Sequence, residues 1–229
     1  MKMATLTYHK HDNYGAVLQC FALQQALIKL NVETEIIDYS CNYVLHPWSI
    51  AVLMKKGIKG YIGGVGGVII RLPRHNKFNQ FRNTHLQLSQ PISRNTLTKI
   101  EDRYDGYIVG SDNVWNAEIT NFDTTYFLDF VTDNRKKMTY AASFGSDDIP
   151  ASLKSEYKKL LSDFSCFNMR ELSGVKVITS LLEKNAQIVL DPTMLLTKND
   201  WEKLALIPNI SFEYILAYQM KPSKDFHEL

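Results

Sequence analysis

The sequence predicts an α/β fold: a Rossmann-like, mainly parallel sheet with helices on both faces. Three observations predict it. Short apolar, β-branched runs alternate with segments of helical periodicity along most of the chain. The first such group is a strand–loop–helix–strand unit of about 35 residues, the size of a βαβ crossover. The chain has 229 residues, 45% hydrophobic and 22% charged, enough to bury a core without disulfide or metal support. Strands alternating with helices in this way need both sheet faces covered.

The elements follow in order. Residues 3–8 read as the first strand, ending at the polar cluster 9–13. A helix opens near Gly15, with Val17, Leu18, Phe21, Ala22, Gln25 and Ile28 at helical spacing and Asn31 as its stop. Residues 35–39 form the second strand. After a basic insert near 40–100, strands are expected at 107–109, 137–142, 165–169 and 187–190. Helices are expected at 152–164, started by Pro150, and at 171–182. The insert holds helix-like pieces at 50–58 and 73–84 around Gly63-Gly64-Val65-Gly66-Gly67. That turn has neither a strand before it nor Lys-Ser/Thr after it, so it reads as a lid or surface segment, not a phosphate cradle. Residues 197–206 resemble a capped helix. The organisation expected is a domain over 1–206, a linker at 207–213 and the start of an incomplete second domain at 214–229.

Composition narrows the function classes. The three cysteines, Cys20, Cys41 and Cys166, are far apart and odd in number, and are expected to be buried reduced thiols. No signal peptide is visible, and the best apolar run, 60–70, is too short to span a membrane. Between Asp38 and Glu101 there is no acidic residue, but Lys55, Lys56, Lys59, Arg71, Arg74, Lys77, Arg82, Arg94 and Lys99 occur. This is either a solvated basic face balanced by acids elsewhere or a surface for an anionic partner. Nucleic acid is not expected, because aromatics are not interleaved with the cations. The histidines lack zinc-ligand spacing beyond His9 and His11, so no metal site is expected.

In open parallel sheets ligands bind beyond the carboxyl ends of the strands. The loop His9-Lys10-His11-Asp12-Asn13-Tyr14-Gly15 joins strand to helix there. Its backbone N–H groups favour an anion, Asn13 either caps the helix or holds a sugar hydroxyl, and Gly15 allows close approach. The lack of a GxGxxG pattern disfavours a nicotinamide cofactor. The run Gly110-Ser111-Asp112-Asn113-Val114-Trp115-Asn116 follows the next central strand. Small polar side chains suit hydroxyls, an indole suits a sugar's apolar face, and Asp112 is a candidate general base. Ser143 lies in a third loop. Arg170 in a fourth either holds a carboxylate or phosphate or makes a structural bridge. Asp191-Pro192-Thr193 reads as mainly structural.

At these loops the chain resembles the polysaccharide pyruvyl transferase family. The resemblance is carried, in order, by Asn13-Tyr14-Gly15-Ala16-Val17-Leu18-Gln19, Asp105-Gly106-Tyr107-Ile108-Val109-Gly110-Ser111-Asp112-Asn113-Val114-Trp115-Asn116, Tyr140-Ala141-Ala142-Ser143-Phe144-Gly145, Arg170-Glu171 and Leu190-Asp191-Pro192-Thr193. It runs from near residue 5 to near 205. It implies two facing Rossmann-like domains, like one class of glycosyltransferases (GT-B-like). It also implies transfer of pyruvate, as a ketal, from phosphoenolpyruvate to sugar hydroxyls of a capsule, exopolysaccharide or cell-wall glycan. Phosphoenolpyruvate is then a donor substrate, and no cofactor is implied.

The matching residues are Asn13, Ser111, Asp112, Asn116 and Arg170, with Tyr14, Gly15, Asn113, Trp115 and Ser143 beside them. Asp112 and Arg170 are the expected catalytic pair. The expected partners are a glycan or lipid-linked oligosaccharide acceptor, a membrane surface touched by the basic 50–100 segment, and a complementary C-terminal half. The expected location is the cytoplasm, at the inner face of the membrane where the basic segment touches it. The family's second domain is nearly absent after 214, which reads as a fragment, a split gene product or a decayed protein, inactive alone. A nucleotide-sugar glycosyltransferase and a non-catalytic glycan-binding remnant are the alternatives.

Overall fold

A computed structural model describes residues 1–41, 72–206 and 208–215. It contains two compact units, Met1–Leu196 and Thr197–Leu229. In the first unit the strands are β1 (Lys2–Leu6), β2 (Glu33–Ile36), β3 (Gly106–Val109), β4 (Lys137–Thr139), β5 (Asn168–Met169) and β6 (Gln187–Ile188). β2, β1, β3 and β4 form one parallel sheet in that spatial order, and β5 pairs parallel with β6. A parallel bridge between Ala142 and Met169 extends the order from β4 to β5. On the far side of β2, bridges join Ile36 to Leu88 and Tyr39 to Ile92. The order of strands and bridged segments is therefore that of a doubly wound sheet, with its switch point between β1 and β3.

The helices are α1 (Tyr14–Lys29), α2 (helical over 72–85), α3 (Ala117–Thr120), α4 (Lys154–Leu161) and α5 (Leu172–Leu182), with α6 (Lys198–Glu202) in the second unit. The ends of α1 follow from its sequence. Asn13 caps it by accepting from Ala16 N at 3.1 Å. Asn31 takes the left-handed conformation, φ 59°, just past the end. There Val32 N donates to Leu27 O and Asn31 N to Ile28 O, a Schellman closure.

The two-residue side-chain period of the strands divides the core between the sheet faces. Ala4 and Leu6 of β1, with Tyr107 and Val109 of β3, join Leu97, Ile100, Tyr157, Leu161, Val177 and Ile178. Met3 and Ile108 face the other way, against Leu23 and Leu27 of α1.

The sequence missed the 3-10 helix Arg94–Arg103, a form whose threefold period does not show as a helical stripe. The strands expected at 165–169 and 187–190 reduce to two residues each. Cys20 and Cys41 are buried, but Cys166 is exposed, because it alternates with buried Phe167 on the approach to β5. None of the three is in a disulfide, and burial pushes the Cys20 thiol well above its ordinary range. The expected helix 73–84 corresponds to α2. The helix-like piece 50–58, the glycine turn 63–67 and most of the strand expected from 214 onward lie outside the described residues. Among the described residues no helix is long and apolar enough to cross a membrane.

Candidate functional site

Three side chains, of Gln19, Thr7 and Tyr8, tie the carboxyl ends of β1 and β3 together. Gln19 is buried on the sheet side of α1, where the helical stripe would otherwise be apolar. Its Nε2 donates to Thr7 Oγ1 at 2.9 Å, and its Oε1 accepts from Ser111 N at 3.2 Å. Thr7 Oγ1 in turn donates to Ser111 O at 3.0 Å, and Tyr8 OH to Asn113 O at 3.0 Å. The residues that flank the loop at 9–15 are thus hydrogen-bonded to the loop at 110–116 at the switch point.

The 110–116 loop owes its path to a close approach of backbones. Gly110 has φ 122°, and a Cβ there would sit 2.2 Å from the carbonyl oxygen of Tyr140. The Gly110–Ser111 peptide is cis. Asp112, at φ 74°, accepts from Asn113 N at 2.9 Å through Oδ1, a local bond that suits an Asx residue to the left-handed region. Its Oδ2 takes no hydrogen bond among the described residues. Asn116 caps α3 by accepting from Glu118 N at 2.9 Å.

From this loop a polar network crosses the sheet ends. Arg170, just beyond β5, donates from Nη2 to Asn113 Oδ1 at 3.2 Å and from Nε to Glu171 Oε1 at 2.5 Å. Its Nη1 lies 3.7 Å from Asp191 Oδ2, which also accepts from Ser111 Oγ at 3.4 Å. Ser143 Oγ donates to Asn113 Oδ1 at 3.3 Å and accepts from Gly145 N at 2.9 Å. Asn113 Oδ1 therefore has two donors, which fixes which end of its amide is the oxygen. Gly145, at φ 67°, leaves room for this amide: a Cβ would lie 2.7 Å from Asn113 Cγ and 3.0 Å from Asn116 Nδ2.

On the β2 side, His9 is buried, with Nε2 3.0 Å from Asp38 Oδ1 and Nδ1 3.3 Å from the Thr7 carbonyl. Lys10 Nζ lies 2.7 Å from the same Asp38 oxygen. Burial alone would raise the Asp38 carboxyl, but the bonds from His9 and Lys10 outweigh it and hold the group below its ordinary range. A cavity of about 10 Å³, room for about one water, lies beside Tyr8, His9, His11, Tyr39 and Tyr126.

The structure gathers Ser111, Asn113, Ser143 and Arg170 into one network, with Asp112 and Asn116 in the same loop. Asn13, Tyr14 and Gly15 lie at the start of α1, exposed. Between capping and ligand binding, Asn13 already caps. Trp115 requires a correction. It is 1% exposed, stacked on Phe127 at 5.8 Å, with Nε1 donating to Tyr126 O at 2.9 Å. Its indole has no face left for a sugar, whereas Tyr14 at the start of α1 is 55% exposed.

The sequence reads Asp191 as mainly structural. It does cap the turn, through Thr193 N, yet its other oxygen enters the network. Gln19 was missed, although a glutamine inside an apolar helical stripe is a visible signal. Two cations of the acid-free stretch are paired with acids outside it: Arg82 with Asp12, and Arg94 with Asp129. Buried Arg82 is no part of a basic surface. Among the described residues no group of three or more His, Cys, Asp or Glu could hold a metal.

The family model described as polysaccharide pyruvyl transferase matches residues 13–229. No curated protein and no solved structure matches the chain.

Proposed function

The chain belongs to the polysaccharide pyruvyl transferase family, and on that premise we propose that it serves transfer of pyruvate from phosphoenolpyruvate to a pair of sugar hydroxyls. The product is a cyclic ketal on a capsule, exopolysaccharide or cell-wall glycan. Two hydroxyl oxygens bond to C2 of the donor, its methylene carbon gains a proton to become methyl, and the C2–O bond to phosphate breaks. One hydroxyl proton is thus matched by the new methyl hydrogen, and the other leaves with inorganic phosphate.

The observation that carries this reading is the setting of Arg170. Its guanidinium is held at the strand ends by Asn113, Glu171 and Asp191, within the matched region. A fork fixed in this way suits a carboxylate or phosphate better than a mobile lysine would. The Asn113 amide, whose oxygen accepts from Arg170 and Ser143, brings an N–H donor group beside it. Asp112, with Oδ2 unengaged among the described residues, is the base for an attacking hydroxyl. Loops 9–15 and 110–116 form the acceptor wall.

The test incubates the full chain with glycan acceptors and phosphoenolpyruvate, following phosphate release and the acid-labile ketal. Phosphate release that requires the glycan supports the proposal. Release of nucleotide from a nucleotide sugar, with phosphoenolpyruvate inert, would replace it with glycosyl transfer. Glycan binding with neither donor consumed would make the chain a binding protein.

A further inference from the structure

α2 comes from the stretch in which the sequence shows no catalytic motif, yet its polar side chains converge on the loop at 9–15. Arg82 is 4% exposed, and a guanidinium is rarely buried unless its donors are met. Its Nη1 donates to the carbonyls of Lys10 at 3.2 Å and His11 at 3.4 Å. Its Nη2 donates to Asp12 Oδ1 at 3.0 Å and to Asn79 Oδ1 at 2.6 Å. Three of these four acceptors belong to the loop. Arg74 Nη2 donates to the Asp12 carbonyl at 2.8 Å, and His75 Nδ1 lies 2.7 Å from Asp12 Oδ2.

Docking of α2 does not by itself call for a buried cation. Phe81 meets Phe21 at 5.9 Å between ring centroids, and Phe78 meets Tyr14 at 5.0 Å, which supplies apolar contact with α1. What Arg82 adds is control of backbone direction. In a trans peptide the C=O and the next N–H point opposite ways. Carbonyls of Lys10 and His11 turned toward Arg82 therefore turn the N–H groups of His11 and Asp12 away from it.

We propose that Arg82 is a positioning residue: from α2 it presets the backbone of the acceptor loop, so that the glycan meets an ordered wall. Ordering a loop before binding removes its entropy cost from the binding step. The inference rests on the reading of 9–15 as the acceptor wall.

The experiment compares the full-length wild type with Arg82→Ala and Arg82→Lys. Lysine keeps the charge and most of the stem but loses the fork, and it decides the matter if the alanine variant does not fold. Amide exchange at Asn13, Ala16 and Val17 is expected to quicken about tenfold or more, with β3 and β4 unchanged. With phosphoenolpyruvate and a glycan acceptor, acceptor KM is expected to rise about fivefold or more, with kcat within about twofold. Unchanged exchange at 9–17, or an equal rise in the sheet, overturns the inference. So does faster loop exchange with an unchanged acceptor KM. A wild type that never consumes phosphoenolpyruvate defeats the proposed function instead, while the exchange data still decide what Arg82 does to the loop.

Discussion

Arg170 donates to Asn113 Oδ1 at 3.2 Å, and this bond joins the loop after β5 to the loop after β3. The same guanidinium reaches Glu171 and Asp191 through its other nitrogens. Three acceptors in three directions need the planar fork, which a lysine ammonium cannot reproduce. Arg170→Lys should lower turnover about a hundredfold or more while moving the midpoint of thermal unfolding little, since the side chain is partly exposed. Steady-state phosphate release and a thermal melt check both parts. Retained turnover would remove Arg170 from the donor site.

Gly110 is irreplaceable for a steric reason. Its φ of 122° is open to glycine, and a Cβ would stand 2.2 Å from Tyr140 O, a backbone atom that cannot swing aside. Gly110→Ala should cost about 3 kcal/mol or more in urea unfolding. A loss below about 1 kcal/mol would mean that the loop relaxes freely and that the approach is not needed.

Of the two aromatic candidates, Trp115 is buried in the core and Tyr14 stays exposed. Trp115 lies among Phe127, Phe144 and Phe164, all within 5.8 Å between ring centroids, so Trp115→Ala should destabilise by about 3–5 kcal/mol. Tyr14→Ala should leave stability within about 1 kcal/mol and weaken glycan binding. Paired urea titrations and glycan-binding isotherms separate the two; a Trp115 variant that is stable but blind to glycan would restore the sugar-platform reading.

Much of the fold was legible because period and punctuation agree. Asn13 and Asn31 bracket α1, and the runs at 3–8 and 107–109 are apolar or β-branched and buried on both faces, as central strands must be. The ends of β4, β5 and β6 were not legible. Beyond the short ladders, the pairing after β4 continues only as isolated bridges at Asp112–Ala142 and Ala142–Met169 among the described residues, which depend on a neighbouring strand and not on local sequence. In the site, the loops at 9–15 and 110–116 were visible as polar runs after apolar strands. Which side chains turn inward was not. Trp115 goes to the core because its N–H finds the Tyr126 carbonyl, and Arg82 is buried because Asp12, 70 residues earlier, is there to receive it. Such partners are set by tertiary packing, which one-dimensional spacing does not carry.

Asp38 makes the stability of this sheet end depend on acid. His9 and Lys10 hold its carboxyl below the ordinary 3.8, so the unfolded chain binds a proton there before the folded one does. The contribution is fully present above about pH 5 and is lost as pH falls through 3.8 toward the lower folded value. Asp38→Asn should therefore be less stable than wild type at about pH 5, and the margin should shrink below about pH 4. Urea unfolding across that range measures it. A margin unchanged down to about pH 2.5 would show that Asp38 gains nothing from its two cations.

Asp112 offers the sharpest separation of chemistry from architecture. It sits at φ 74°, where asparagine and glycine are as comfortable as aspartate, and its Oδ1 bond to Asn113 N can be kept by an asparagine oxygen. Asp112→Asn should thus fold and melt like the wild type while losing the carboxylate. If Asp112 takes the proton of an attacking hydroxyl, turnover should fall about a hundredfold to ten-thousandfold, with acceptor binding retained. Asp112→Gly keeps the turn and removes the side chain altogether, so it should lose activity to the same degree. Both variants turning over at the wild-type rate would make Asp112 a turn residue only, and the base would then have to be sought in another loop at the strand ends.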